Sequence, residues 1–225
     1  MPLPSSPSSP SPVHDLLQRH ADRVLHVEHL SAREAVVEPW PDWVEPHVRD
    51  LFGAEGVQAL WGHQAEALGA LRSGHDVVVS TGTASGKSLV FQVPALDALA
   101  RGREGAALHG FRAPTVLYLA PTKALAGDQL RRLEPFGALG RFTTVDGDDS
   151  REQRAWAREH ADWVLTNPDT LHHSILPGHA RWTRLLAGLR YVVVDECHHY
   201  RGLFGAHVAH VLRRLLRVCE HYGSD

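Results

Sequence analysis

The chain has 225 residues, of which 43% are hydrophobic and 22% charged, a composition typical of one globular α/β domain. This composition excludes a coiled coil, a collagen-like fibre and a wholly disordered chain. The longest apolar runs are far shorter than the roughly 18 residues of a membrane helix, so we expect a cytoplasmic protein without a membrane segment. The net charge of −3 is not that of a dedicated nucleic-acid module, which is usually strongly basic.

The N-terminal part of the chain differs in composition from the rest. Residues 1–12 are almost entirely proline and serine, which predicts a disordered arm. Residues 13–45 are predicted to form an extension with a short amphipathic helix and a Pro/Trp-rich linker. The apolar positions of that helix are Leu16, Leu17, Val24 and Leu25. The main domain is then expected to span residues 46–225.

In that domain, short β-branched runs alternate with helical stretches, which predicts βαβ units. The strands read as continuous apolar runs rather than alternating ones, as in a mainly parallel sheet with helices on both faces. The predicted strands are Asp76–Ser80, Thr115–Ala120, Phe142–Val145, Trp163–Thr166 and Tyr191–Asp195. The predicted helices cover residues 63–72, 87–100, 122–134, 150–160 and 205–221.

The composition is also unusual in histidine. There are 17 histidines, scattered along the chain, with adjacent pairs at His172–His173 and His198–His199. Adjacent histidines on a helix or strand point in different directions, and no HExxH string is present. We therefore interpret them as solvated or core-edge histidines rather than as a metal site.

A phosphate-binding loop is indicated by the string STGTASGKS, between a predicted strand and a predicted helix. Backbone N–H groups of the loop and the positive end of the following helix can hold a phosphate. Lys87 can reach the β- and γ-phosphate oxygens, and the Ser88 hydroxyl can bind Mg²⁺. Thr81 stands where the strict pattern has glycine. The nucleotide-binding positions are Thr81, Gly82, Thr83, Ala84, Ser85, Gly86, Lys87 and Ser88.

Two adjacent carboxylates follow the last predicted strand, in the string YVVVDECHH. Ligands of open α/β sheets bind at the carboxyl ends of the strands. The simplest assignment gives Asp195 to Mg²⁺ and Glu196 to the attacking water as general base. Alone this pattern is weak; together with the phosphate loop it becomes a strong indication.

These two strings together resemble motifs I and II of the DEAD/DEAH-box superfamily 2 helicases. APTKALAGDQL resembles motif Ia, TNPDTLH resembles motif Ib, and VDGDD resembles the element between them. The segment YRGLFGAHVAHVLRRL after DECH resembles the branch containing mitomycin repair factor A and the yeast RecQ-like relatives, which are DNA-repair helicases. The resemblance covers about residues 55–217 and implies a RecA-like P-loop NTPase lobe that uses ATP and Mg²⁺.

The resemblance also implies roles for individual residues. His198 is expected to couple hydrolysis to strand movement. Gln64 is expected to read adenine, with Trp61 as a stacking partner. The resemblance implies single-stranded DNA as the partner, and the positions expected along it are Pro121, Thr122, Lys123, Thr166, Asn167 and Asp169.

Two departures from the family pattern matter. Cys197 stands where the family usually has alanine or valine. The second RecA-like lobe, which contributes an arginine finger, is missing from this chain and would need on the order of 150 further residues. The sequence therefore leaves open an ATP-dependent DNA helicase lobe and a module that binds ATP and nucleic acid without turnover. A nucleotide kinase or small GTPase ranks lower, because no NKxD string is present.

Overall fold

The computed structural model describes residues 12–28, 36–82, 85–109 and 112–224. The predicted arm lies outside these residues, except for Pro12. The chain divides into two compact units, residues 1–35 and 36–225, so the second unit begins before the boundary expected at residue 46.

In the first unit, α1 (Pro12–Arg19) is followed by a 3₁₀ turn, Ala21–Arg23. The predicted amphipathic helix is therefore shorter than expected. Val24 and Leu25 lie beyond its end, and Leu25 is almost fully exposed. No residue of this unit is recorded as buried in its described part, so these apolar side chains have no core to pack on there.

The second unit is built on a sheet. Its helices and strands are β1 (Val37–Glu38), α2 (Pro46–Ala54), β2 (Leu60–Trp61), α3 (Gly62–Arg72), α4 (Ser88–His109), β3 (Thr115–Leu119), α5 (Lys123–Leu133), β4 (Phe142–Thr144), α6 (Arg151–His160), β5 (Trp163–Thr166), α7 (Pro168–Thr170), α8 (Thr183–Ala187), β6 (Leu189–Val194) and α9 (Gly202–Tyr222). Short 3₁₀ or π turns cover Glu134–Phe136, Leu171–Ile175, His179–Trp182 and Cys197–His199.

Within the described residues, four parallel strands form this sheet in the order β4–β5–β3–β6. One face packs against α2, α3, α4 and α5 through side chains such as Val116 and Tyr118. The other face packs against α6, α8 and α9 through alternate residues such as Leu117 and Leu119. Successive side chains of a strand point to opposite faces, so both faces of β3 are buried, as predicted for a parallel sheet covered by helices.

The strand predicted over Asp76–Ser80 is wrong. This segment makes no strand hydrogen bonds, and 85% of Val78 is exposed. A strand needs a neighbour to pair with, and β6 is the edge of the sheet among the described residues. The apolar run predicted a strand, but it carried no information about a pairing partner.

The linker before α2 belongs to the second unit. β1 pairs antiparallel with β2, and Trp40 packs on Phe52 with ring centroids 5.6 Å apart. Val44 is fully buried in the same core. The Pro/Trp-rich stretch is therefore ordered and packed on the core of the second unit. None of the helices in the described ranges is both long and apolar enough to span a membrane.

Candidate nucleotide and nucleic-acid site

The phosphate loop leads directly into α4, which begins at Ser88. Lys87 Nζ donates to the carbonyl oxygens of Thr81 (2.8 Å) and Gly82 (3.0 Å). Ser85 Oγ lies 2.5 Å from Thr81 Oγ1, so the threonine at the non-standard first position contributes a hydrogen bond within the loop. Thr83 and Ala84 lie outside the described residues. The loop is thus held in shape by its own polar groups, with the ammonium group at its centre.

Gly86 is the loop position at which only glycine fits. Its φ is +65°, a conformation that glycine adopts at little cost. A Cβ at this position would lie 2.5 Å from Gln64 Nε2. Gly86 is therefore required both by its backbone conformation and by the close approach of α3.

Gln64 connects α3 to the phosphate loop. Its Nε2 donates to the Gly86 carbonyl at 2.9 Å, and its Oε1 accepts from the Trp61 N–H at 2.8 Å. The side chain is 2% exposed. Nearby, His63 Nε2 lies 3.1 Å from the Ser85 carbonyl oxygen, a contact that the sequence did not suggest. Both ends of the Gln64 amide are therefore occupied within the protein, and pairing with adenine would require an exchange of partners.

A cleft of about 520 Å³ lies beside the start of α3. It is lined by Glu38, Pro39, Trp40, Pro41, Asp42, Gly62, Ala65 and Glu66. Gln64 is absent from this lining, although its neighbours Gly62 and Ala65 belong to it. Trp61 is partly exposed, and its ring centroid lies 5.8 Å from that of His63. The Trp61 ring is therefore open to a stacking partner, whereas Gln64 faces the phosphate loop.

The acidic pair follows β6. Asp195 N–H donates to the Leu119 carbonyl at 2.9 Å, and Glu196 N–H donates to Asp195 Oδ1 at 2.9 Å. The hydroxyl of Tyr118 donates to Asp195 Oδ2. Burial, followed by this hydrogen bond and the charge of Asp195, raises the pKa of Tyr118 far above its ordinary value. Tyr118 therefore stays a protonated donor that fixes the Asp195 carboxylate.

Tyr118 was missed in the sequence. The available signal was a single tyrosine in the aliphatic strand TVLYL, since a buried Tyr hydroxyl usually needs a partner. Its ring also contacts Phe91, with centroids 5.7 Å apart. Phe91 lies in the first turn of α4, so one chain of contacts leads from the helix that begins at Ser88 to Asp195.

Glu196 adopts a left-handed conformation, with φ 47° and ψ 40°. This is unusual for a residue other than glycine, and it turns the chain sharply out of the sheet. Glu196 Oε2 then lies 3.1 Å from His198 Nδ1. The turn thus brings the predicted base and the predicted coupling histidine together.

The predicted nucleic-acid residues lie at or just after the ends of β3 and β5, which are adjacent parallel strands. Their carboxyl ends lie at the same edge of the sheet. Thr122 Oγ1 accepts from the Leu125 N–H at 3.3 Å and caps α5. Asn167 Oδ1 accepts from the Thr170 N–H at 2.8 Å and caps α7. The strings APTKALAGDQL and TNPDTLH are therefore brought together, and each supplies a helix cap at that edge.

The other predicted contact residues differ in accessibility. Thr166 is buried, and its hydroxyl donates to the Val145 carbonyl at 2.6 Å, so its side chain is not available to a nucleic acid. Asp169 and Pro121 are at least partly exposed. Lys123 Nζ forms ion pairs with Asp146 (3.2 Å) and with Asp148. A phosphate at Lys123 therefore has to compete with two carboxylates of the VDGDD loop.

The chain matches the DEAD/DEAH box helicase family over residues 61–222. That match covers more than half of the chain. The chain belongs to the DEAD/DEAH box helicase family. The resemblance predicted from the motif strings is thereby confirmed.

Similar proteins place the chain within that family. It is 39% identical over 208 residues to the uncharacterized ATP-dependent helicase YprA of Bacillus subtilis, covering 91% of this chain and 27% of the relative. It is 46% identical over 167 residues to the ATP-dependent helicase HRQ1 of Saccharomyces cerevisiae, covering 72% of this chain and 15% of the relative. The chain thus spans about a quarter or less of the length of these two helicases.

The crystal structure of the DUF1998 helicase MrfA bound to DNA and AMPPNP is similar in fold. It aligns with a TM-score of 0.83 and 37% identity over 94% of this chain and 29% of that one. The Mycobacterium smegmatis helicase Lhr bound to ssDNA and AMP-PNP aligns with a TM-score of 0.66 and 27% identity over 79% of this chain and 23% of that one. The predicted fold class, a RecA-like lobe with a parallel sheet between helices, is confirmed.

Proposed function

We propose that this chain is the N-terminal ATP-binding lobe of an ATP-dependent DNA helicase or translocase that acts in DNA repair. The observation that carries the proposal is the connection between the phosphate loop and the acidic pair. The helix that begins at Ser88 packs through Phe91 on Tyr118, which holds Asp195. This contact sets the start of α4 against the carboxyl end of the sheet.

In this proposal, Lys87 and the backbone N–H groups at the start of α4 bind the phosphates of ATP. To do so, Lys87 gives up its bonds to the carbonyls of Thr81 and Gly82. The Ser88 hydroxyl and the Asp195 carboxylate are oxygen donors, which suit Mg²⁺. Mg²⁺, when bound, neutralises charge on the phosphates. The hydrogen bond from Tyr118 keeps the Asp195 carboxylate oriented to bind Mg²⁺.

Glu196 is the proposed general base. It accepts a proton from the attacking water, and its backbone is in the left-handed conformation. His198, at 3.1 Å from the Glu196 carboxylate, is placed to respond to the protonation of that group. This contact supports a coupling role for His198.

The proposed nucleic-acid track runs along the edge where β3 and β5 end. Its contacts are the exposed polar groups of Pro121–Lys123 and the segment around Asn167 and Asp169, without the buried Thr166 side chain. DNA is the proposed substrate because the similar MrfA structure contains DNA. The repair role rests on the resemblance to the branch of DNA-repair helicases.

The proposal requires a second RecA-like lobe. An arginine finger alone can contribute about a thousandfold or more in rate, and stepping along DNA needs two lobes that open and close. We therefore expect residues 1–225 alone to bind Mg·ATP and single-stranded DNA weakly, the latter with marked salt dependence. They should hydrolyse ATP barely above background and unwind nothing.

The test is a coupled ATPase assay with and without single-stranded DNA, beside unwinding of a forked duplex. Both are run on the chain alone and on a longer protein with a second lobe. DNA-stimulated turnover only in the longer protein supports the proposal. ATP and DNA binding without turnover in both favours the alternative, a module that binds both ligands without hydrolysis. Robust turnover by the chain alone would show that its site is completed by self-association.

A further inference from the structure

The turn after β6 brings three potential metal ligands together. These are Glu196, His198 and His199, each of which offers one ligand atom, and these atoms all lie within 4.8 Å of one another. The His198 and His199 ring centroids are 4.4 Å apart. No other trio of histidine, cysteine or acidic residues meets in this way within the described ranges. The histidine pair interpreted from sequence as merely solvated therefore converges on a carboxylate.

The backbone explains this convergence. The left-handed Glu196 starts a 3₁₀ turn, Cys197–His199, which is closed by the bond from the His199 N–H to the Glu196 carbonyl at 2.9 Å. In a strand or a regular helix, adjacent side chains diverge. Here the sharp turn places both imidazoles on the side of the carboxylate.

The ligand chemistry favours a transition-metal dication. Two imidazoles and one carboxylate, with an open fourth position, make up a common catalytic zinc set. In a tetrahedral site with metal–ligand bonds near 2.1 Å, the ligands stand about 3.4 Å apart. The Glu196 and His198 side chains are 36% and 59% exposed, so side-chain rotation can close the remaining distance. Mg²⁺ prefers oxygen ligands and competes poorly at the imidazoles.

We propose that Glu196, His198 and His199 form a binding site for Zn²⁺ or a similar transition-metal dication. The metal binds the Glu196 carboxylate, which otherwise faces His198 Nδ1. The neighbouring carboxylate of Asp195 adds negative charge that favours a cation. Binding does not depend on the proposed helicase function, but one consequence does. A metal that holds Glu196 removes the proposed base, so zinc inhibits ATP hydrolysis.

The test is a titration of the tag-free chain with Co²⁺, followed by visible absorption, and displacement of Co²⁺ by Zn²⁺. We expect one site that is tighter than the background of the other histidines. His199→Asn should weaken this site at least tenfold, and Glu196→Gln should weaken it similarly. His47→Asn, on the exposed start of α2, is the matched control and should leave the site unchanged.

Equal Zn²⁺ affinity in the wild type and in His199→Asn overturns the proposal, as does an equal loss in His47→Asn. Thermal unfolding checks that each variant folds, and His199→Gln replaces the asparagine variant if it does not. Binding of a fluorescent ATP analogue is measured separately on the same proteins. ATP binding without the zinc site refutes only this inference, whereas zinc binding without ATP binding refutes only the proposed function.

The inhibitory consequence is measured on a protein that contains both lobes. Zinc at the concentration that fills the Co²⁺-defined site should reduce ATP turnover of the wild type at least tenfold. The His199→Asn protein should keep its turnover at the same concentration, and a chelator should restore the wild type. Equal inhibition of both proteins would show that zinc acts elsewhere and would overturn this consequence.

Discussion

Replacing Lys87 by alanine tests the phosphate loop most directly. In the structure, Lys87 Nζ donates to two neutral carbonyl oxygens, those of Thr81 at 2.8 Å and Gly82 at 3.0 Å. In the proposed function, ATP binding exchanges these acceptors for charged phosphate oxygens, which form stronger hydrogen bonds. The contribution of Lys87 to affinity is the difference between the two sets of bonds.

That difference can be estimated. A hydrogen bond between charged groups contributes about 1.5–3 kcal/mol, and the two carbonyl bonds lost on binding offset part of it. We therefore expect Lys87→Ala to weaken ATP binding by about 1–2 kcal/mol, or roughly 5- to 30-fold in Kd. If the two carbonyl bonds contributed nothing, the loss of binding free energy would be the full ~1.5–3 kcal/mol.

The assay is a titration of a fluorescent ATP analogue in the presence of Mg²⁺. Lys123→Ala is the matched control, because Lys123 is the only other lysine in the sequence and its loss changes the net charge equally. Its Nζ is paired with Asp146 and Asp148 on another loop, so ATP affinity should stay unchanged. Equal Kd values for the wild type and Lys87→Ala, or equal losses in both variants, would refute the reasoning.

Glu196→Gln, in a protein containing both lobes, should keep ATP affinity and lose most turnover; persistent turnover in a coupled assay would assign the base elsewhere. Gln64→Ala should remove two hydrogen bonds and lower the free energy of unfolding by about 1–3 kcal/mol, measured as a lower urea midpoint. GTP should compete poorly with ATP for the wild type and better for the variant. An unchanged midpoint would contradict the structural contacts of Gln64. Asp162→Asn should destabilise the fold at pH 7 by about 1.5–3 kcal/mol, since Asp162 pairs with Arg141 and Arg184. Burial raises the pKa of Asp162, but the hydrogen bonds and charges of these arginines outweigh it and bring the pKa below the ordinary 3.8. The difference in stability should therefore be complete above pH 3.8 and shrink as the pH falls below it; a difference in urea midpoint that persists unchanged at pH 2 would refute the ion-pair account.

Much of the fold follows from local patterns in the sequence. The apolar runs over Trp163–Thr166 and the helical period of α9 gave elements at or close to their observed bounds, because side-chain periodicity reflects which face is buried. The prediction of a phosphate loop, which stays a prediction, rests on a similar reason. Its glycine, lysine and serine are needed at fixed spacing by local backbone geometry, and Gly86 has the positive φ that such a loop requires.

Contacts between distant parts of the chain were decided only by the tertiary structure. Tyr118 reaches Asp195 because β3 and β6 are adjacent and in a register that no local pattern specifies. Gln64 faces Gly86 because α3 packs against the phosphate loop. For the same reason the Asp76–Ser80 prediction failed, since an apolar run predicts an extended segment but not the neighbour that must pair with it.

The acidic pair, Asp195 and Glu196, depends both on the local sequence pattern and on the tertiary structure. The sequence determined that Asp195 and Glu196 follow a strand, because the apolar run stops there; β6 itself is only partly buried. The direction of each side chain depended on the turn that follows. Glu196 takes a left-handed backbone conformation, and this brings its carboxylate to His198 and His199. Sequence spacing cannot predict that arrangement, because adjacent side chains point in different directions in any regular strand or helix.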